Sequence, residues 1–81
     1  MESAAQIRTA FGERLRTLRT ARGHSTARAV ANLTGLDENR YARYERGEVE
    51  PSLATILKLC RALEVEPNEL FGYPPSKSRQ R

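Results

Sequence analysis

The chain has 81 residues, 30% charged and 38% hydrophobic, with a net charge of +4. So short a chain holds one domain at most and buries only about 60% of its unfolded surface, so modest stability is expected. A single cysteine excludes an internal disulfide, and one cysteine with one histidine cannot close a zinc site. No apolar run approaches the roughly 18 residues of a membrane span. Residues 1–6 lack the basic and apolar segments of a secretory signal, so the expected location is the cytoplasm.

Charge is unevenly spread. Residues 1–47 carry nine arginines against five acids. Residues 48–72 carry Lys58 and Arg61 against five glutamates, and residues 73–81 add Lys77, Arg79 and Arg81. A basic half beside an acidic one suits a protein that offers one end to a polyanion.

Ser3 with Gln6 forms a capping-box pattern that opens the first helix. Ile7, Phe11, Leu15 and Leu18 then recur at spacings of four, four and three, a helical stripe. Gly12 is expected to weaken the middle, leaving the helix firm from Phe11 to its end at Gly23. Arg8 and Arg16 read as solvated charges. His24, Ser25 and Thr26 make a turn, with Ser25 or Thr26 as the next N-cap. A short second helix follows from Ala27 to Thr34, with Ala27, Val30, Ala31 and Leu33 as its small or apolar positions. Gly35 closes it.

Only Leu36 separates Gly35 from Asp37, a good N-cap for a third helix that Gly47 terminates. Leu36, Tyr41 and Tyr44 can share one side of that helix. Glu38, Asn39, Arg40 and Arg43 are left for the other. Two short helices joined so tightly form a helix-turn-helix. Arg pairs with guanine and Asn with adenine in the major groove, so the outer face is a candidate reader of base edges. A merely solvated face is the alternative.

The stretch 48–51 is a loop, and Ser52 caps a fourth helix. Leu53, Ile56, Leu57, Cys60 and Leu63 are its expected core face, with Cys60 packing as a small hydrophobe. Pro67 suits the first position of a short fifth helix ending at Leu70 and Phe71. The architecture expected is all-α, with five helices in a domain over 1–72 and a disordered basic tail over 73–81. That tail serves either solubility or weak contact with DNA. Val65, Leu70, Phe71 and Tyr73 are candidates for a dimer seam, or else cap the core of a monomer. His24 has no partner at a catalytic spacing, so neither enzyme activity, metal nor cofactor is expected.

Phe11-Gly12-Glu13-Arg14-Leu15-Arg16-Thr17-Leu18-Arg19, Arg22-Gly23, Tyr44-Glu45-Arg46-Gly47, Pro51-Ser52-Leu53 and Glu69-Leu70-Phe71 together resemble the lambda-repressor-like helix-turn-helix family. More narrowly, they are similar to the xenobiotic-response-element regulators of bacteria and phages. The resemblance runs from Ile7 to Phe71. It implies a DNA-binding transcriptional repressor or activator, commonly a homodimer on a palindromic operator of double-stranded DNA, and so placed at the nucleoid. In such a protein the third helix enters the major groove. Carried over by position, base reading falls on Glu38, Asn39 and Arg43, with Arg40 beside them. Phosphate contacts are expected, from charge and from helix-start amides, at Arg22, Ser25, Thr26, Arg28, Asp37 and Arg46, with Arg40 reaching base or backbone. The resemblance also implies an ion pair between Arg19 and Glu45, whose fork and carboxylate match bidentately.

Three departures stand out. Ala27 replaces the glutamine usual in the first turn of the second helix, with Arg28 beside it. The preceding turn is one residue longer, with His24 where an apolar residue is common. Asp37 and Glu38 set two acids toward a polyanion. The acidic opening of the third helix, together with the acidic half from Glu48 to Glu69, motivates a rival reading, a helix-turn-helix used for protein contact in an antitoxin-like or adaptor role.

Overall fold

The computed structural model describes residues 1–74. The basic residues of the expected tail therefore lie outside the described residues. Five helices follow one another: α1 Ala4–Ala21, α2 Ala27–Thr34, α3 Glu38–Glu45, α4 Leu53–Leu63 and α5 Pro67–Phe71. The fold is the lambda-repressor-like all-α arrangement, with α1 packed on α3 and α5, α2 on α3 and α4, and α4 on α5.

Each helix starts on a local signal. Ser3 Oγ accepts from Gln6 N and Gln6 Oε1 accepts from Ser3 N, closing a full capping box. Thr26, not Ser25, caps α2 by accepting from Ala29 N. Asp37 caps α3 through Arg40 N, and Ser52 caps α4 through Thr55 N. Glu66 is the N-cap of α5, with Pro67 at the first helical position.

Between these ends the core gathers Phe11, Leu15, Val30, Ala31, Tyr41, Tyr44, Leu59, Cys60, Leu63, Val65 and Leu70. Burial pushes the Cys60 thiol above its ordinary range, as expected for a packed cysteine.

Three expectations need correction. Gly12 does not soften α1, which is helical throughout. It is buried where the end of α3 crosses, and a Cβ there would stand 2.5 Å from Tyr44 O and closer still to Glu45 O. The expected core face of α4 holds at Ile56, Cys60 and Leu63 but not at Leu53 and Leu57. Leu53 is 85% exposed and Leu57 48%, while Thr55, Leu59, Cys60 and Leu63 turn inward. Apolar residues run almost all round this helix, so its periodicity does not fix a face. Leu33 and Ile7 likewise lie outward, at 58% and 46% exposure.

Val65 and Leu70 are the third case. Both are buried in the protomer's own core, so neither is free to form a seam between copies. Phe71 and Tyr73 remain exposed, although the Phe71 ring also packs 5.5 Å from that of Phe11.

Candidate nucleic-acid interface

The helix-turn-helix is held by one buried polar cluster. Arg19 Nε donates to Glu45 Oε2 at 2.6 Å and Nη2 to Oε1 at 3.3 Å, a bidentate fork between α1 and α3. Tyr41 OH donates to the same Glu45 Oε2 at 2.6 Å, and Arg19 Nη1 to His24 O at 2.9 Å. One arginine thus ties together the end of α1, the turn into α2 and the far end of α3. Among the described residues no buried side-chain polar atom is left without a partner. Burial, and then the bond to Glu45, push the Tyr41 phenol far above its ordinary range, so it stays a neutral donor. The Glu45 hydrogen bond holds the Arg19 guanidinium above its own range.

Neither Tyr41 OH nor His24 O was expected in this cluster. Tyr41 does stand four residues before Glu45, a spacing that brings helical side chains together. The His24 carbonyl has no such signal.

Beyond the cluster, α3 is clamped at its exit. Gly47 has φ +74°, and a Cβ on it would meet Thr9 Cα at 2.8 Å, so a side chain is excluded twice over. Its carbonyl accepts from Arg8 Nε at 3.3 Å, which makes Arg8 a half-buried cap and not a solvated charge.

Held in this way, α3 turns Glu38, Asn39, Arg40 and Arg43 to solvent. Their partners differ. Glu38 accepts from Arg28 Nε at 3.1 Å, an exposed bridge between the first turns of α2 and α3. Arg40 Nε donates to Tyr44 OH at 3.1 Å. Arg43 and Arg46 share one carboxylate: Glu48 receives Arg43 Nε at 3.3 Å and Arg46 Nε at 2.8 Å. The Arg46 bond, ahead of a smaller contribution from Arg43, holds the Glu48 carboxyl below its ordinary range. From sequence Glu48 reads as a loop residue of the acidic half, not as a partner of the reading helix. Its position, one residue past the glycine that ends the reading helix, is the signal that could have found it.

Of the residues expected at phosphates, Arg28, Ser25 and Arg46 are exposed. The side chains of Thr26 and Asp37 are occupied as caps, so only backbone amides of those first turns are offered. Arg22 must be withdrawn. Its Nε donates to Leu63 O at 2.8 Å and its Nη2 to Glu64 O at 3.1 Å, so it closes the end of α4 instead. The carbonyls it serves need that donor, because Glu64 takes the left-handed conformation at φ 57°.

Among the described residues, no helix is long and apolar enough to cross a membrane. No group of His, Cys, Asp or Glu among them is arranged to hold a metal ion.

A compact helix pair braced by a buried ion pair, with its second helix turned outward, defines a helix-turn-helix domain. The helix-turn-helix domain family matches residues 10–70, and the chain belongs to that family, among regulators of the xenobiotic-response-element type. It is similar to an SPbeta prophage-derived HTH-type transcriptional regulator, YonR, of Bacillus subtilis, at 42% identity over 61 residues. That match spans 75% of this chain but only 56% of the regulator's length. Among solved structures, it is similar to the restriction-modification controller protein C.AhdI from Aeromonas hydrophila. There the identity is 51% and the TM-score 0.73, over 78% of this chain and 94% of that one. An HTH_3 family transcriptional regulator from Vibrio cholerae superimposes with TM-score 0.78 at 31% identity, covering 86% of this chain and 39% of its own.

Proposed function

We propose that the chain is a sequence-specific regulator of transcription that inserts α3 into the major groove of a palindromic operator. The observation that carries this reading is the Arg19–Glu45–Tyr41 cluster. It fixes the angle of a helix whose free face holds Glu38, Asn39, Arg40 and Arg43. A protein that needed only a hydrophobic contact would have no use for so rigid a polar brace behind a polar face. Arg43 would address guanine, Asn39 adenine, and Glu38 the amino group of cytosine. Arg28, Arg40 and Arg46 would contact phosphates, aided by first-turn amides at Ser25–Arg28 and Asp37–Asn39. No catalytic step is assigned to the chain.

Binding to random duplexes, selected over several rounds and sequenced, tests the reading directly. An inverted repeat with half-sites about one turn apart, roughly 34 Å, is expected. No binding even at low salt would sink the regulator and favour the protein-contact role. On the selected duplex, Asn39→Ala or Arg43→Ala should each cost about 1–3 kcal/mol and relax preference at one base pair. Parent-like binding of both variants to selected and scrambled duplexes would mean that the reading face is misassigned.

A palindrome calls for two copies of the chain. Phe71 and Tyr73 are retained in the proposed seam, while Leu53 and Leu57, one turn apart on the outer side of α4, replace Val65 and Leu70. Burying exposed leucines is the available driving force. A Leu53→Glu, Leu57→Glu variant should sediment as a single chain and lose about 100-fold in operator affinity, because the second half-site no longer binds with the first. If this variant still sediments with twice the mass of one chain, the seam lies elsewhere.

A further inference from the structure

We infer that Glu48 is a specificity-determining residue: its carboxylate holds Arg43 and Arg46 in the free protein and has to give up Arg43 to DNA when the chain binds. The inference rests on the proposed function and adds to it a residue that lies outside the reading helix. Arg43 is the best-placed reader of guanine, and Arg46 follows it at the end of α3. Both guanidinium groups already meet a carboxylate, at 3.3 and 2.8 Å.

A carboxylate offers arginine much the same pair of acceptors as a phosphate's two oxygens or the O6 and N7 of a guanine edge. Glu48 is therefore a tethered competitor for the groups that DNA would take. Its pairs are about half exposed, so they open at little cost when a better partner arrives.

The discrimination follows from what each kind of DNA gives back. On an arbitrary duplex the gain is almost wholly electrostatic, and Glu48 cancels part of it by occupying the arginines and repelling phosphate. On the operator, Arg43 gains a bidentate partner in the groove. Glu48 can meanwhile keep Arg46, its shorter bond, and hold that side chain near the backbone. The counter-charge thus weakens nonspecific binding more than specific binding. The Arg28–Glu38 bridge works at the other end of α3, so neither Glu38 nor Glu48 stands as a bare negative charge.

The test compares Glu48→Gln with Glu50→Gln, titrating each with the selected and the scrambled duplex over a range of salt. Glu50 is exposed two residues away and makes no ion pair among the described residues, so it reports the effect of merely removing one charge. Glu48→Gln should bind scrambled duplex about 3- to 10-fold more tightly. Its salt slope should steepen by about 0.9, one further phosphate neutralised. The selected duplex should gain less, so the specificity ratio falls, and the change in ratio should vanish in an Arg43→Ala background. Equal changes in Glu48→Gln and Glu50→Gln, or an unchanged ratio while the parent binds its selected duplex, would overturn the inference alone. A parent that binds no duplex would overturn the proposed function and this inference with it.

Discussion

Glu45→Ala is expected to lower the free energy of unfolding by about 3–5 kcal/mol, the cost of leaving a buried charge without its partner. Arg19 would keep only the bond to His24 O, and its guanidinium would face the core with no carboxylate. Tyr41 OH would lose its acceptor in the same step. A small domain sits near the lower end of the usual 5–15 kcal/mol, so the variant should be largely unfolded near 37 °C. Urea unfolding measures the loss, and the direction of the partner changes identifies its cause. Glu45→Gln, which still offers Tyr41 an oxygen, should lose less. A double variant with Arg19→Met and Glu45→Leu should recover part of the stability, because no uncompensated charge stays buried, although Tyr41 OH and His24 O still lack their partners. That double variant is also informative about DNA. It should fold and yet bind the operator poorly, since the fork that sets the angle of α3 is gone. A loss below about 1 kcal/mol in Glu45→Ala would mean that water reaches Arg19 and that the cluster is a surface pair.

How far the sequence foretold this structure depends on how local each signal is. Helix starts were legible because a cap and its amide are three residues apart, as with Ser3 and Gln6, Asp37 and Arg40, or Ser52 and Thr55. The tight link through Gly35 to Asp37 was legible for the same reason. Faces were harder. On α3, two tyrosines among charged residues mark the buried side without ambiguity. On α4 leucines occur on both sides, and only the helices packed against it decide which are covered. Val65 and Leu70 failed for a related reason: an apolar residue near a chain end looks the same whether it fills its own core or a partner's.

The candidate site divides similarly. The Arg19–Glu45 pair was reached through resemblance, since residues 26 apart in sequence carry no spacing signal of their own. Arg22 was placed at phosphate by its charge, whereas the structure sets it against the end of α4, 41 residues away. Glu48 was overlooked because its role depends on where the chain turns after Gly47. Counting charges along the sequence could not show that Glu38 and Glu48 come already paired with arginines.

Gly12→Ala should destabilise the fold by about 1–3 kcal/mol, although an exposed helical site would gain roughly 1 kcal/mol from the same change. The sign is decided by what the new methyl group meets. Its neighbours would be the carbonyl oxygens of Tyr44 and Glu45, which are backbone and cannot swing aside as a side-chain tip could. To admit the methyl, α3 must move away from α1 at the very turn that carries Glu45. The displacement would lengthen the Arg19–Glu45 fork, so part of the cost arises from a pair that the substitution does not touch. Binding should therefore suffer beyond what instability explains. At a temperature where the variant is still folded, its operator affinity should fall while its salt slope stays near the parent's, because a tilted α3 loses base contacts before phosphate contacts. Thermal unfolding and duplex titration together check this. A Gly12→Ala protein more stable than the parent would show that α1 and α3 stand further apart than this geometry requires. An unstable protein with parent-like operator affinity would show instead that the helix crossing at Gly12 bears on the fold but not on how α3 is aimed.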